Sequence, residues 1–304
     1  MPTISVLLPT YNRLPLLREA IESVRRQTFQ DWELIVADDG STDATIEYLA
    51  SIGEPRLRLV DLLHSGSAAR VRNAALRVAR AEWVAFLDSD DVWMPDKLEL
   101  QIRELRAHPE CGWSCTAVGF IDADGNAIPQ PSPRRYQPIC GWILEQLLTF
   151  EAAATMPTLM VRRSLAQSIG GFDEAFASRE DYDFALRLAL RSPIHALGDT
   201  LTLIRHHAGR TTTTQNRAEL HRFNEIVFRK AEAFAPNDRL RRICQRQCAT
   251  QLVERAGALS HDGRHSAALE AIGRAFRDAP LEPFVWRRAF GCAARAVGLG
   301  RRVV

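Results

Sequence analysis

Short apolar runs alternate with helical stripes through the first 110 residues, and this alternation restricts the fold more than any other feature of the sequence. The runs predict strands at Ile4–Leu8, Glu33–Ala37, Leu57–Val60 and Trp83–Leu87, and the stripes predict helices at Leu14–Arg26, Thr42–Ala50, Ala68–Arg80 and Pro95–Ala107. Strands that alternate with helices form a mostly parallel sheet with helices on both faces. We therefore predict an α/β fold, with Ser41 or Thr42 capping the second helix and Pro95 in the first turn of the fourth.

The pattern changes after residue 110. Strands are predicted at Trp113–Ile121 and Thr158–Val161, an extended segment at Ile194–Arg205, helices at Gly141–Phe150 and Glu180–Arg191, a turn at Asp122–Gly125 and a proline-rich loop at 129–138. From about Gln215 onward the chain is predicted to be helical. We place a boundary near 212–218, between a domain over residues 1–214 (halves 1–110 and 111–214) and a helical C-terminal region over 215–304.

The composition and the termini exclude several classes of protein. A formal net charge of +2 over 304 residues provides no basic field, so nucleic acid is not an expected partner. No apolar stretch approaches the ~20 residues of a transmembrane helix, and the N-terminal MPTISVLLPTYNR lacks the basic segment of a signal peptide. Reduced thiols in the cytoplasm are therefore expected for all six cysteines, Cys111, Cys115, Cys140, Cys244, Cys248 and Cys292.

Polar motifs follow three of the predicted strands, at the point where each strand ends. Thr10-Tyr11-Asn12 follows the first strand, Asp38-Asp39 the second and Asp88–Asp91 the fourth. In open α/β sheets, ligands bind at the carboxyl ends of the strands. The three distant motifs are therefore expected to line one cleft.

The segment Asp88-Ser89-Asp90-Asp91 places three carboxylates within four residues. Their mutual repulsion costs stability unless a cation or hydrogen bonds offset it. Hard divalent cations are held by one or two carboxylates together with substrate phosphates. A metal site is one interpretation of this segment, and a solvated acidic turn that caps the next helix is the other.

Two further strand ends also have one functional and one purely structural interpretation. In Asp38-Asp39-Gly40-Ser41-Thr42-Asp43, Gly40 permits a sharp turn, and Asp38 or Asp39 could accept hydrogen bonds from a base or a ribose. In Pro9-Thr10-Tyr11-Asn12-Arg13, the Tyr11 ring could stack on a base. The alternatives are an ordinary capped turn and an ordinary strand-to-helix loop.

Together these segments resemble the large inverting glycosyltransferase family often called family 2, which has the GT-A fold. The matching segments are Pro9–Arg13, Ala37–Asp43, Gly66–Ala69 running to Arg72-Asn73, Phe86–Asp91, Gly170–Glu174 and Glu180–Asp183. They occur in the family's order over roughly residues 3–212. The resemblance implies a GT-A type nucleotide-binding fold followed by a C-terminal helical region.

The resemblance also implies roles for individual residues. The nucleotide site would comprise Pro9, Thr10, Tyr11, Asn12, Arg13, Asp38, Asp39, Arg72, Asp88 and Ser89. The divalent metal, Mn²⁺ or Mg²⁺, would be bound by Asp90 with His207, and Asp91 and His206 are the neighbouring candidates. Asp181 would be the catalytic base, with Glu180 beside it as the second candidate.

The activity implied by the resemblance is inverting transfer of a sugar from a nucleotide diphosphate sugar, with UDP as the expected nucleotide. A metal ion stabilises the leaving diphosphate as a Lewis acid, and a carboxylate such as Asp181 takes the proton of the acceptor hydroxyl. The expected acceptor is a glycan or a lipid-linked sugar in cell-surface polysaccharide or lipopolysaccharide synthesis.

Three other classes of protein agree less well with these residues. A non-catalytic protein that binds nucleotide sugars or interacts with partners through the same fold would be favoured if a motif carboxylate were missing, and none is. A nucleotidyltransferase would carry a glycine-rich loop after the first strand, whereas Pro9–Arg13 has no glycine. A dehydrogenase would show G-x-G-x-x-G at the same place.

The basic C-terminal segment Trp286–Val304 has two interpretations. It places Arg287, Arg288, Arg295, Arg301 and Arg302 among apolar residues. Such segments can lie on anionic membranes, or they can be solvated helices that pack on the rest of the protein. The expected location is the cytoplasm, with peripheral contact at the inner face of the membrane.

Overall fold

The computed structural model describes residues 1–130, 139–207 and 216–296, with side chains up to residue 291 in the last range. Contacts within the chain divide it into two compact units, Met1–His207 and Ala208–Val304. The proline-rich loop predicted at 129–138 and the boundary predicted near 212–218 lie largely outside the described residues.

One sheet organises the first unit. Its strands are β1 (Ile4–Thr10), β2 (Trp32–Asp38), β3 (Leu57–Asp61), β4 (Trp83–Phe86), β5 (Val92–Trp93), β6 (Trp113–Ile121), β7 (Ala127–Ile128), β8 (Met160–Arg162) and β9 (Ile194–Arg205). Their order is β3-β2-β1-β4-β8-β6-β9-β5, and β7 pairs with β6. All run in one direction except β5, β7 and β8. The prediction of a mostly parallel sheet is therefore confirmed.

Helices cover both faces of this sheet. They are α1 (Leu14–Arg25), α2 (Thr45–Ser51), α3 (Ala68–Val78), α4 (Lys97–Ala107), α5 (Leu144–Leu148), α6 (Arg163–Ser168) and α7 (Glu180–Arg191). On one face, Leu17 and Ile21 of α1 pack in a core with Val6 and Val36. On the other face, Phe86 of β4 meets the ring of Phe184 from α7 at 5.7 Å. The sheet therefore fixes the start of α7 next to the end of β4.

Three predicted helices begin at other residues than expected. The second helix begins at Thr45 with Ala44 as its cap, because Ser41 and Thr42 instead make hydrogen bonds to Asp38 and Asn12. The fourth helix begins at Lys97, so Pro95 lies before it rather than in its first turn.

The helix predicted over Gly141–Phe150 is shorter, covering Leu144–Leu148. Gly141 has a φ of 97°, outside the helical region, and exchanges backbone hydrogen bonds with Ile194.

The second unit is helical in its described part, as predicted. It contains α8 (Arg217–Phe234), α9 (Asp238–His261), α10 (His265–Asp278) and α11 (Pro283–Ala296). Leu252 and Leu259 of α9 pack with Ile272 of α10, and Gly263 turns the chain between these helices with a φ of 74°. None of the helices in the described ranges has both the length and the apolar content that a membrane span requires.

The first residue of α4 is a buried lysine. Lys97 is fully buried, its Nζ donates to Oε1 of Gln101 at 2.5 Å, and it lies 4.1 Å from the centre of the Trp93 ring. Burial disfavours the charged form of an amine. The pKa of Lys97 is therefore held well below its usual value.

We expect the unfolding free energy of the wild type, relative to that of Lys97→Met, to rise between pH 7 and about pH 10. The unfolded state binds a proton up to its ordinary lysine pKa of about 10.4, whereas the folded state releases it at a lower pH. Burial of Lys97 lowers the unfolding free energy by its full amount below the folded-state pKa, and this loss disappears as the pH rises through this window. Urea unfolding of both proteins at several pH values measures the difference.

Lys230→Met, which removes the only other lysine of the sequence, is the matched control for the loss of a lysine side chain as such. A wild-type-minus-Lys97→Met difference that stays constant across the same pH range would contradict the prediction.

Candidate functional site

Strand ends, a helix start and the end of β9 meet at one edge of the sheet. The Asp39 amide, after β2, donates to the Thr10 carbonyl at the end of β1. Arg72 of α3 contacts both Asp88, after β4, and Glu180, at the start of α7. The polar motifs singled out in the sequence thus lie in one connected cluster.

An aromatic stack marks one side of this cluster. The rings of Tyr11 and His64 stack with centres 4.2 Å apart, and Tyr11 is 40% exposed. The His64 ring lies 3.1 Å from Asp39 Oδ2. Asp39 also accepts hydrogen bonds from the amides of Ser65 and Gly66 at 3.0 and 2.8 Å. Asp39 therefore fixes the loop after β3 and holds His64 beneath an exposed aromatic face.

Other residues of the same side shape the backbone. Asp38 is fully buried, and both of its oxygens accept hydrogen bonds from Ser41. Gly40 has a φ of 75°, and a Cβ at that position would lie 2.8 Å from the backbone nitrogen of His64. The side chain of Asn12 accepts from the Thr42 amide at 2.7 Å. Between the two candidate aspartates, Asp39 is thus the one that lies beside the aromatic stack.

Pro9 and Thr10 belong to β1, where Pro9 is partly buried and Thr10 is 4% exposed. The Thr10 hydroxyl is buried and has no hydrogen-bond partner among the described residues. The predicted nucleotide residue Ser89 is likewise buried, inside the turn between Asp88 and Asp90.

The second side of the cluster gathers around Asp90. Its Oδ2 lies 2.8 Å from Arg13 Nη1 and 3.0 Å from His207 Nε2. Two ligands at right angles around an ion bound at about 2.1 Å lie about 3.0 Å apart. Carboxylates suit Mg²⁺ and Mn²⁺, and imidazoles suit transition-metal ions. The spacing of Asp90 and His207 therefore suits two ligands of one divalent metal.

The neighbouring candidates have different surroundings. The His206 ring packs edge-on against Phe120 at 5.3 Å. Asp91 accepts a hydrogen bond from the Arg205 amide at 2.9 Å. The geometry places His207, and not His206, beside Asp90.

Arg205 supports the acidic turn Asp88–Asp91 and was not predicted as a site residue. Its side chain, 2% exposed, donates to the carbonyls of Asp90 and Ala123 and pairs with Glu19 at 2.5 Å. It precedes the histidine pair at the end of β9. Arg205 therefore ties the end of β9 to the acidic turn.

The third part of the cluster is a buried ion-pair bridge. Arg72, 7% exposed, donates to Asp88 Oδ1 at 2.7 Å and to Glu180 Oε1 at 2.6 Å. Burial alone would lower the pKa of Arg72, but the carboxylates of Asp88 and Glu180 raise it above its ordinary value. Burial raises the pKa of Glu180, against the opposing effect of Arg72, and the Asp181 carboxylate raises it further.

Asp181 lies next to this bridge, in the first turn of α7. Its Oδ1 accepts a hydrogen bond from the Tyr182 amide at 2.7 Å, and the residue is partly exposed. Glu180 is committed to Arg72. Asp181 is therefore the more open of the two carboxylates.

A hydrogen-bonded contact joins two further segments of the family resemblance, Arg72-Asn73 and Gly170–Glu174. Asn73 accepts from the Phe172 amide and donates to the Phe172 carbonyl, both at 2.8 Å. A Cβ on Gly171 would lie 2.6 Å from the Asn73 side chain, so this close approach requires glycine. The contact holds α3, and with it Arg72, against the segment that leads to α7.

Arg72→Met should lower the unfolding free energy at neutral pH by about 3–5 kcal/mol, because it leaves two partly buried carboxylates, those of Asp88 and Glu180, without their cation. The deficit should shrink at pH 5. Without Arg72 the pKa of Glu180, already raised, rises further. A carboxyl with a raised folded-state pKa stabilises the fold at low pH and loses that contribution as the pH rises. Urea unfolding from pH 5 to pH 8 measures the deficit.

The double variant Arg72→Met/Glu180→Gln is the control, since it removes the titrating carboxyl and should show a smaller and flatter deficit. A deficit in Arg72→Met that is equal at every pH would show that Glu180 does not depend on Arg72.

Comparison with solved structures reveals the same fold in two proteins with bound nucleotide sugars. The crystal structure of S. aureus TarS in complex with UDP-GlcNAc superposes with a TM-score of 0.73 at 20% identity, covering 98% of this chain and 89% of that one. The mannosyltransferase PcManGT of Pyrobaculum calidifontis, in complex with GDP-Man and Mn²⁺, gives a TM-score of 0.62 at 22% identity, covering 96% and 80%. These likenesses confirm the predicted GT-A-type fold.

Among curated proteins, the UDP-Glc:alpha-D-GlcNAc-diphosphoundecaprenol beta-1,3-glucosyltransferase of Escherichia coli is 40% identical over 99 residues, which is 33% of this chain and 39% of that protein. The chain spans 24%, 51% and 39% of the lengths of three such relatives. Residues 5–168, more than half of the chain, match the family model described as glycosyl transferase family 2. The chain therefore belongs to glycosyl transferase family 2.

Proposed function

We propose that this protein transfers a sugar from a nucleoside diphosphate sugar to an acceptor hydroxyl, with inversion at the anomeric carbon. The observation that carries the proposal is the Asp90–His207 pair at 3.0 Å. It lies in one cluster with two arginines, Arg13 and Arg72, and with the carboxylate of Asp181. Metal ligands, positive charge and a base are the groups that such a transfer needs.

The donor nucleotide fits the aromatic side of the cluster. The exposed Tyr11 face, backed by His64, offers a stacking surface for a base, and Asp39 lies at its edge. Asp90 and His207 would hold Mn²⁺ or Mg²⁺, which supplies Lewis-acid stabilisation of the charge on the leaving diphosphate. UDP is the proposed nucleotide, supported by the UDP-GlcNAc complex of TarS and the UDP-Glc named for the E. coli relative.

Asp181 is the proposed base. The acceptor oxygen forms a bond to the anomeric carbon, the bond from that carbon to the diphosphate oxygen breaks, and Asp181 takes the hydroxyl proton. Asp181 lies in the first turn of α7, and its side chain is partly exposed. Glu180 has a different role from Asp181, because it pairs with Arg72 and holds that side chain in place.

The acceptor is proposed to be a glycan or a lipid-linked sugar used in cell-surface polysaccharide or lipopolysaccharide synthesis. The diphosphoundecaprenol acceptor named for the E. coli relative supports this class. Peripheral contact with the inner face of the membrane is proposed through α11, whose Trp286 and Phe290 are 51% and 72% exposed. The side chains of Arg295, Arg301 and Arg302 lie outside the described part of the chain.

The proposed catalytic domain covers residues 1–214 and the helical region covers 215–304. The division of the chain into units that end and begin at His207 and Ala208 supports this arrangement. Each proposed catalytic group lies within the first unit, from Tyr11 to His207.

Asp90→Ala should abolish the effect of metal on nucleotide binding. Wild-type protein is expected to bind UDP at least ~10-fold more tightly with Mn²⁺ than without it, a difference of about 1.4 kcal/mol. The variant loses the carboxylate that contacts His207, so both conditions should give the same weak affinity. Isothermal titration with UDP, GDP, dTDP and CDP measures this and identifies the nucleotide.

Asp199→Ala, which removes an exposed aspartate in β9, is the matched control and should behave as the wild type. If Asp90→Ala retains the metal-dependent gain, the metal is bound elsewhere and this part of the proposal fails.

Asp181→Asn should reduce turnover by about 10²–10⁴-fold, the usual contribution of a general base, and leave the dissociation constant of UDP with Mn²⁺ unchanged. Asparagine keeps the size of the side chain and removes its ability to take a proton. Release of UDP from UDP-glucose, with a GlcNAc-diphospholipid as acceptor, measures turnover. Wild-type turnover in Asp181→Asn would assign the base to another residue.

A further inference from the structure

A second group of metal-ligating side chains lies at the far end of β9 from the Asp90–His207 pair. It consists of Glu104 in the last turn of α4, His108 directly after that helix, and His195 near the start of β9. His195 and Arg205 pair with Ser114 and Ile121 of β6, which are separated by about 23 Å of strand at ~3.3 Å per residue. This group is therefore separate from the proposed donor site.

The three side chains approach one another closely. One ligand atom from each lies within 4.8 Å of the others, and His195 Nε2 is 3.5 Å from Glu104 Oε2. The rings of His108 and His195 stack with centres 4.2 Å apart. Within the described ranges, no other set of three His, Cys, Asp and Glu side chains comes this close.

Regular secondary structure places these residues together. Glu104 and His108 are four residues apart, so they share one side of the helix end, and the His108 amide donates to the Glu104 carbonyl at 2.9 Å. His195 is paired with Ser114, whose hydroxyl accepts a hydrogen bond from Gln101 of α4 at 2.9 Å. His195 thus lies on the sheet face that α4 covers.

A neighbouring carboxylate supplies an independent indication of ligand binding. Glu110 Oε1 lies 3.3 Å from His108 Nδ1. Histidines that bind metals commonly donate their other ring N–H to a carboxylate, which fixes the ring and makes it a better ligand. With Nδ1 facing Glu110, Nε2 of His108 is the ring nitrogen that remains for a metal. On Glu104, Oε1 pairs with Arg103 and Oε2 faces His195.

We propose that Glu104, His108 and His195 bind a divalent transition-metal ion of the zinc class. Two imidazoles and one carboxylate are a common zinc ligand set, completed by water as the fourth ligand. Tetrahedral ligands around Zn²⁺ at about 2.0–2.1 Å lie about 3.3 Å apart, close to the 3.5 Å between Glu104 and His195.

A metal ion lies in the plane of each imidazole that binds it. The planes of the two stacked rings are nearly parallel, so they cannot both contain one ion. Binding therefore requires one ring to leave the stack. His108 is the ring that turns, since its side chain is 42% exposed whereas that of His195 is 18% exposed. The ion would then fasten the end of α4 to the start of β9 and stabilise the folded state by mass action.

Co²⁺ is the probe, since it replaces Zn²⁺ and absorbs visible light strongly when four-coordinate. The full chain carrying Asp90→Ala and His207→Ala, which silences the proposed donor site, is stripped with a chelator and titrated with CoCl₂. We expect one equivalent to produce the absorption, and equimolar Zn²⁺ to remove it. Adding His195→Ala or His108→Ala should weaken Co²⁺ binding at least ~10-fold, as expected when a zinc ligand is lost.

Two controls keep the test specific. Cys140→Ser should leave the absorption unchanged, although the Cys140 thiol lies 3.3 Å from the Ala196 amide beside His195. Thermal unfolding without metal should be similar in parent and His108→Ala, and Zn²⁺ should raise the midpoint only in the parent.

Absorption that survives the loss of both histidines, or that needs so much Co²⁺ that equimolar Zn²⁺ does not displace it, would overturn the proposal. A folded parent that gives no absorption at all would do the same. Each of these outcomes is independent of whether the protein transfers sugars.

Discussion

The buried guanidinium of Arg72 is the interaction on which the candidate site depends most. It joins three segments that are distant in the sequence: α3, the turn after β4 and the start of α7. A buried cation of this kind is stable only while its carboxylate partners remain. Because Asp88 belongs to the same turn as Asp90, and Glu180 precedes Asp181, one side chain sets the positions of the proposed metal ligand and the proposed base together.

Much of this arrangement could be predicted from the sequence, because local patterns determine it. Buried parallel strands leave continuous apolar runs, and loops at their carboxyl ends must lie at one edge of the sheet. The strand Trp113–Ile121 and the helix Glu180–Arg191 were predicted with their observed bounds. The choice between His206 and His207 could not be made from the sequence, since it depends on which ring the end of β9 turns toward Asp90.

Other features depend on contacts that no local pattern records. His64 gains its position from Asp39 and Tyr11, which lie 25 and 53 residues earlier in the chain. Arg205 looked like an ordinary charge before the histidine pair, yet it is almost fully buried through partners as distant as Glu19. The strands β5 and β7 have two residues each, which is too few for an alternation of apolar and polar residues to be recognised in the sequence. The start of α2 was misplaced because Ser41 and Thr42 have partners outside the helix.

The ion pair between Arg13 and Asp90 has a consequence for how the acidic turn behaves between catalytic cycles. Arg13 is a built-in counter-ion, so Asp90 carries no uncompensated charge when the cleft holds no donor. Binding of the proposed metal at Asp90 would then be an exchange of one cation for another, and the measured affinity would be the difference between two attractions. Added salt screens both attractions, so this exchange depends less on ionic strength than binding to a lone carboxylate would. The same ion pair would favour release of the proposed metal with the nucleotide, because the Arg13 guanidinium can pair with Asp90 again.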